Sequence, residues 1–427
     1  MSRVLDAVAP PRMGRSFRWL LASSWVTNIG DGLALAAGPL LVADQTDSAF
    51  LVALAALLQR LPWLLFGLWA GAIADRHDRR LLVRLANAVR AGVLVMLALA
   101  IVGDVVSIAV VLPVMFLLGT AETFADTATS TLVPMLVPRD DLVVANSRIQ
   151  AGLVTANQLV GPPLGAVLYA AGTAVPFVSQ SVLVLLGVVL VGRIAATPRV
   201  REGSGHLRRD VAEGFRWLLA HPPIRTLTLV IVTFNVTWGA AWSVLVLYAR
   251  DHLGMGEVGY GLLTTAMAIG GVIATLGFDA LHRRVPMALL MRVCLTLEVL
   301  THLAFAVTTS GAVALVIMFV FGSYAFVWGA VSQAIRQRAV PIELQGRIAS
   351  VYMVGVFLGI VIGQAIGGWI AEVWGLTAPF WFAFAGSGLT LALVWSRLTN
   401  IAHLDAHAAP SASTAPDVAT EPTADRA

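Results

Sequence analysis

The sequence predicts an all-α integral membrane fold, with twelve transmembrane helices in two pseudo-symmetric six-helix bundles. Three observations carry this. Of 427 residues, 58% are hydrophobic and 12% charged, where a soluble domain carries about 25% charged residues. So apolar a chain cannot cover a globule with polar surface, and lipid becomes its solvent. Apolar runs of roughly 18 to 25 residues recur along the chain, each long enough to cross a hydrocarbon core ~30 Å thick. The second half also repeats landmarks of the first.

The elements follow in order. Residues 1–16 are polar, with Pro10, Pro11 and several Arg, and read as an N-terminal arm without the features of a removed signal peptide. The N-terminal bundle, 17–196, holds apolar runs at 17–43, 49–74, 81–103, 105–128, 142–170 and 174–196. An arginine-rich linker occupies 197–224. The C-terminal bundle, 225–398, holds runs at 225–249, 256–280, 286–308, 311–335, 345–372 and 376–397. The tail, 399–427, is rich in Ala, Pro, Ser, Thr and Asp and is expected to be disordered.

Arginine placement orients the chain. Alternate loops hold Arg76, Arg79, Arg80 and Arg84, then Arg139 and Arg148, the six Arg from Arg199 to Arg225, Arg283 and Arg284, and Arg336, Arg338 and Arg347. The other loops hold only Arg250. Both termini are therefore expected in the cytoplasm of a multi-pass protein of the cell (inner) membrane.

The halves correspond. "DRHDRR" at Asp75–Arg80 matches "DALHRR" at Asp279–Arg284, each after a second span. "GPPLGA" in the fifth span matches "GQAIGG" in the eleventh, and both are followed by Pro-Phe, at Pro176 and Pro379. Six-helix halves joined by a linker suit a transporter whose site lies at the repeat interface.

Several classes are excluded. Cys294 is the single cysteine, so there is no disulfide framework or Cys-ligated metal cluster. All 28 basic positions are Arg, and no Gly-x-x-x-x-Gly-Lys phosphate loop exists. The formal charge of +4 falls in short loops between spans and does not point to nucleic acid. No catalytic triad or metal site stands out, so an enzyme is not expected. No cofactor is expected either, the expected partners are lipids and a small-molecule substrate, and the chain is expected to be a monomer.

The run "LPWLLFGLWAGAIADRHDRRLLV", Leu61–Val83, places Gly71, Asp75, Arg76, Arg79 and Arg80 at the end of the second span. It resembles the loop motif of the major facilitator superfamily, with Asp78 where a Gly usually stands. With "GDGLALAAGPLLV" at 30–42 and "EGFRWLLAHPPIRTLTL" at 213–229, it resembles the branch containing enterobactin exporters and macrolide efflux proteins. The resemblance covers nearly the whole chain apart from both ends. Physically, Gly71 would admit a neighbouring helix closely. Asp75 would cap a facing helix or accept charge-assisted bonds from Arg79 or Arg80, forming a latch that exists in one conformer and breaks in the other. The alternative is that the arginines serve topology alone.

In the fifth span, Gly161, Pro162 and Gly165 resemble the Gly-Pro-x-x-Gly-Gly element of superfamily antiporters, with Ala166 as the last residue. Such a segment makes a bendable, closely packed helix, which is either an export feature or a plain packing kink.

Ionisable residues within spans are the best site candidates, because burying one costs on the order of 3 kcal/mol on insertion scales. Asp31 and Arg60, near the middle of the first two spans, are expected to pair. Protonation of Asp31 would break the pair and couple transport to a proton gradient, unless the pair is purely structural. Glu122 and Asp126, one turn apart on the fourth span, share a face that suits a proton or a cationic substrate, although Asp126 alternatively reaches the interface. The Arg that many drug antiporters carry in this span is missing, which puts their proton relay in doubt here. Glu298 and His302 share a face of the ninth span, where a structural or lipid-facing role is expected. Asn235, Trp238 and Trp242 recur on one face of the seventh span and would stack a substrate or simply pack. Gln364 and Gln333 are further polar candidates.

The resemblance implies a secondary transporter that exports a hydrophobic or amphipathic small molecule, such as a drug, antibiotic or siderophore, by proton antiport. An importer of the same fold and a non-transporting sensor or assembly protein are the alternatives.

Overall fold

A computed structural model of the chain describes residues 11–195, 207–341 and 344–398, apart from the side chains at 11, 75, 139 and 207–211. The expected arm up to residue 10, residues 196–206 at the start of the linker, and the tail from residue 399 lie outside this description. Among the described residues the regular structure is all helical, with no strand, and twelve segments span the protein.

In the N-terminal half these are α1 (Gly14–Gln45), α2 (Ala49–Arg76), α3 (Arg79–Val102), α4 (Ile108–Leu136), α5 (142–171) and α6 (Val175–Gly192). In the C-terminal half they are α7 (222–252), α8 (Glu257–Arg284), α9 (Met287–Val307), α10 (Gly311–Ala339), α11 (Gln345–Trp374) and α12 (Ala378–Val394). Ten contain an unbroken helix long and apolar enough to cross a bilayer; α12 is shorter, and α5 is interrupted. The fourth span runs on to Leu136, well past its expected end at 128, because Leu132 and Val133 resume the apolar, buried face beyond the polar stretch 129–131.

Two spans change winding. In α5 a π-helical turn, Leu153–Val160, precedes Gly161-Pro162-Pro163. Neither proline has an N–H to give to the carbonyl four residues back. The Gly161 amide bonds Ala156 five residues back instead, so the helix widens where its ladder would fail. In α7, the helix Pro222–Trp242 breaks at Ser243 and ends in a second π-helical turn, Tyr248–His252.

The packing pattern repeats between the halves. In the first, α1 packs on α5 and α6, α2 on α4, and α3 on α4 and α6. In the second, α7 packs on α11 and α12, α8 on α10, and α9 on α10 and α12. The halves meet through α2 on α11 and α5 on α8, which are again equivalent pairs. Pseudo-symmetry read from short sequence matches is thus present in the packing of whole helices.

The apolar cores show where the halves join. One cluster draws on both halves and includes Leu41, Val52 and Leu97 from the first with Tyr248, Phe305 and Phe380 from the second. All of it lies at the end remote from the arginine-rich loops. Towards the arginine-rich end the cores are separate: Phe17, Val83 and Leu132 in one half, Leu227, Leu290 and Val331 in the other. The molecule is therefore sealed at one end and parted at the basic end.

Within the linker, the helix Leu207–Ala220 buries Leu218 with Ile224, Val340 and Ile348. Its Glu213 pairs with Arg347 of α11 at 2.8 Å.

Candidate functional site

The expected pair of Asp31 with Arg60 does not form. Asp31 accepts a hydrogen bond from the Arg90 guanidinium of α3 and another, at 3.3 Å, from the Gln180 amide of α6. The second Arg90 amino group donates to Asn87 at 3.0 Å, and Arg90 is 3% exposed. The reason is helix packing. α1 and α2 follow each other in sequence but touch little, whereas α6 lies against both α1 and α3 and brings Gln180 and Arg90 to Asp31.

Arg60 belongs to the other side of the same group. Glu122 and Asp126 lie within electrostatic range of Asp31, Arg90 and Arg60, and make no direct ion pair themselves. Close contact of α2 with α4 places them so: a Cβ on Gly119 would fall 2.2 Å from the Gln59 carbonyl. Glu122 is half-buried and Asp126 exposed. Ionisable groups at such depth line aqueous cavities rather than lipid, so water reaches the acidic side. Three carboxylates face two guanidiniums here, and full ionisation leaves one uncompensated negative charge.

Asp31 is held by the glycine-proline segment. A Cβ on Gly161 would lie 2.3 Å from the Gly32 Cα, and one on Gly165 2.3 Å from the Leu33 carbonyl. α1 and α5 are therefore in backbone contact immediately beside Asp31. The other face of the segment meets the second half, where a Cβ on Gly261 of α8 would lie 2.7 Å from that of Ala166. The Gly161, Pro162 and Gly165 element is a packing joint as well as a winding change.

The loop after α2 departs from expectation at Gly71, where a Cβ would meet nothing within 4 Å. No helix approaches it because the halves are parted at this end. The Asp75 side chain lies outside the described residues, so the latch contact expected of it is not described. Arg76 is exposed. Arg79 donates to the Met135 sulfur at 2.8 Å. Arg80 donates to the Ile194 carbonyl at 2.5 Å and to Asp78 at 3.3 Å. Asp78 caps α3, accepting from the Arg80 and Leu81 amides. Partial burial alone would raise the Asp78 carboxyl, but bonds and charge from Arg80, with the Leu81 amide, bring it below its ordinary value.

In the second half, Asn235 and Trp238 line a cavity between α7, α9, α10 and α11. The Asn235 amide donates to its own helix at Ile231. Trp242 stacks on Trp238 at 5.7 Å and packs among His302, Phe305 and Phe321, as part of the aromatic core. Gln364 is buried on α11 and its side-chain oxygen has no partner; Gln333 is exposed. Glu298 and His302 are not lipid-facing: both are buried, because α9 turns this face towards α10 and α12.

Sequence reasoning missed Arg90, Asn87 and Gln180. The signal for Arg90 was present, since it stands inside the third apolar run.

A family model described as transmembrane secretion effector matches residues 6–427. The multidrug efflux pump Tap of Mycolicibacterium fortuitum is 27% identical over 405 residues, covering 90% of this chain and 96% of the relative. Macrolide efflux protein A of Streptococcus pyogenes is 23% identical over 381 residues, covering 85% and 90% respectively. A bacterial homologue of the iron transporter ferroportin, solved in an inward-facing state, shares the fold. Its TM-score is 0.74 at 17% identity, over 90% of this chain and 98% of that one.

Proposed function

The chain belongs to the transmembrane secretion effector family, within the major facilitator superfamily, and from that premise we propose that it exports a hydrophobic or amphipathic small molecule by proton antiport. It is a multi-pass membrane transporter and not an enzyme. The direction and cargo class rest on likeness to efflux pumps for several drugs and for macrolides. The arginine-rich end lies in the cytoplasm, by the distribution of positive charge, which makes the parted conformation open inward.

The observation that carries proton coupling is the charge imbalance around Asp31. Asp31, Glu122 and Asp126 oppose Arg60 and Arg90, and one bound proton brings the group to neutrality. Arg90 is buried, and uncompensated charge beside it is costly, so loading and unloading a proton changes which packing of α1 against α6 and α4 is favoured. Protons enter this group from outside and leave it inside while cargo moves outward. The Asp31–Arg90 contact breaks and reforms in that cycle. The loop residues Gly71, Asp75, Arg79 and Arg80 latch the basic end in the outward-open state, when the halves close there.

The test is accumulation of a drug panel, including a macrolide, in an efflux-deficient host with and without the gene. Expression should lower accumulation, a protonophore should abolish the difference, and Asp31→Asn should do the same. Higher accumulation would instead make the chain an importer. Unchanged accumulation, with no cargo-stimulated proton flux in proteoliposomes, would make it a non-transporting protein.

A further inference from the structure

The cavity in the C-terminal half is about 240 Å³ and is walled by Phe234, Trp238, Phe321, Tyr324 and Trp328. Its one carboxylate is Glu298. One Glu298 oxygen accepts from the Tyr324 hydroxyl at 2.8 Å, and that hydroxyl also lies 3.0 Å from the Thr301 hydroxyl. The other Glu298 oxygen is 3.2 Å from His302 Nε2. His302 is fully buried behind it, and its Nδ1 has no partner. The remaining titratable group at the wall is Cys294. Among the described residues Glu298 pairs with no arginine, only with the His302 imidazole, and the chain has no lysine.

This differs in kind from the group around Asp31. There, carboxylates face guanidiniums; here a carboxylate with a hydroxyl and an imidazole faces a space lined by aromatic rings. Ring faces are negative, and with a buried carboxylate they attract a cation most strongly where water is excluded. An anionic or polar neutral ligand would meet repulsion and unpaired polar groups instead. The space is too small for a drug-sized molecule and fits one of its ends.

We propose that this cavity binds the positively charged end of the cargo, an organic ammonium group, with Glu298 as counter-ion and Trp238 and Trp328 as stacking walls. The proposal rests on the transporter reading for its purpose, not for its binding chemistry. The two halves then divide the work, with protons handled beside Asp31 and the cargo's charge held at Glu298.

The test uses purified full-length protein and benzyltrimethylammonium, a quaternary cation with one ring, with binding read by equilibrium dialysis. Its neutral carbon isostere, neopentylbenzene, serves as competitor. Wild type should bind the cation, and the isostere should compete about tenfold less well or worse. Glu298→Gln, which still accepts from Tyr324, should lose about tenfold or more in affinity. Trp238→Leu, which leaves the carboxylate in place, should lose several-fold, and this second variant guards against misfolding of the first. Equal competition by the isostere, or unchanged affinity in both variants, would overturn the proposal. If drug extrusion persists while cation binding ignores Glu298, the cavity assignment alone fails. If binding behaves as expected but no cargo moves, the transporter reading fails and the site stands.

Discussion

At the scale of single residues, the asymmetry of the Asp31–Arg90 pair sets what its loss does. A guanidinium stays charged in a protein, whereas a carboxylate can accept a proton. Removing Arg90 leaves three carboxylates with Arg60 alone, while removing Asp31 leaves two of each sign. Arg90→Gln should therefore lower thermal stability in detergent more than Asp31→Asn, by about 3 kcal/mol for the broken buried pair. The double variant should cost less than the sum of the singles, and strict additivity would mean that the two side chains do not interact. Asp78 gives the pH dependence. Its folded carboxyl lies below the ordinary value of 3.8, so its stabilisation is complete above that value and fades as pH falls through the lower folded value. Asp78→Ala should cost about 1 kcal/mol at neutral pH through the lost cap, and melting curves of the two proteins should converge in acid. Of this site, the candidates Asp31, Glu122 and Asp126 were legible because a charge in an apolar run is conspicuous. Their pairing was not. Sequence order suggests that α1 faces α2, but the partner was chosen by α6, which packs against both α1 and α3.

At the scale of elements, lipid explains why the spans were readable and their irregularities were not. A bilayer demands about 20 apolar residues from every crossing, so hydropathy alone locates them. It says nothing of winding, and the π-helical turn of α5 depends on which carbonyl remains for the Gly161 amide once Pro162 and Pro163 have lost theirs. Gly161 and Gly165 are needed for a different reason, the backbone contact with α1 at Gly32 and Leu33. Without a hydrophobic drive between helices in lipid, such contact supplies much of their association. Gly161→Ala should push α1 from α5, cost about 1 to 3 kcal/mol, and displace Asp31 from Arg90. Gly71→Ala should leave the fold intact, since its Cβ would point into open space, and should act only if the basic end closes on it. Thermal melting and drug extrusion of both variants separate the cases. A harmless Gly161→Ala would show that the α1–α5 joint is looser than its geometry.

At the scale of the whole molecule, the sealed end determines how readily the transporter changes state. Two polar ties cross it. Glu372 of α11 caps the start of α2, accepting from the Ser48 hydroxyl at 3.0 Å and the Phe50 amide at 3.1 Å, where a carboxylate also meets the positive end of the helix. Arg250, in the last turn of α7, donates to the Ala43 carbonyl at 3.1 Å and to Asp44 at 3.4 Å, and Tyr169 of α5 holds Asp44 from the other side at 2.5 Å. The charged partners are a third to a half exposed, so each tie is worth less than about 1 kcal/mol. The apolar cluster beneath, built from both halves, contributes far more. Glu372→Gln with Arg250→Gln should therefore not unlock the molecule but tilt it, by roughly thirtyfold at most in the population open at that end. Ser243 is buried under this seal. In a Cys294→Ala background, Ser243→Cys should react slowly with a membrane-impermeant maleimide added from outside, and several-fold faster once both ties are removed. Replacing Leu41 by Ala, within the apolar seal, should speed labelling more than removing either tie. If the polar variants label as slowly as the parent while Leu41→Ala labels fast, the ties only fix register and the apolar seal alone sets the balance between states.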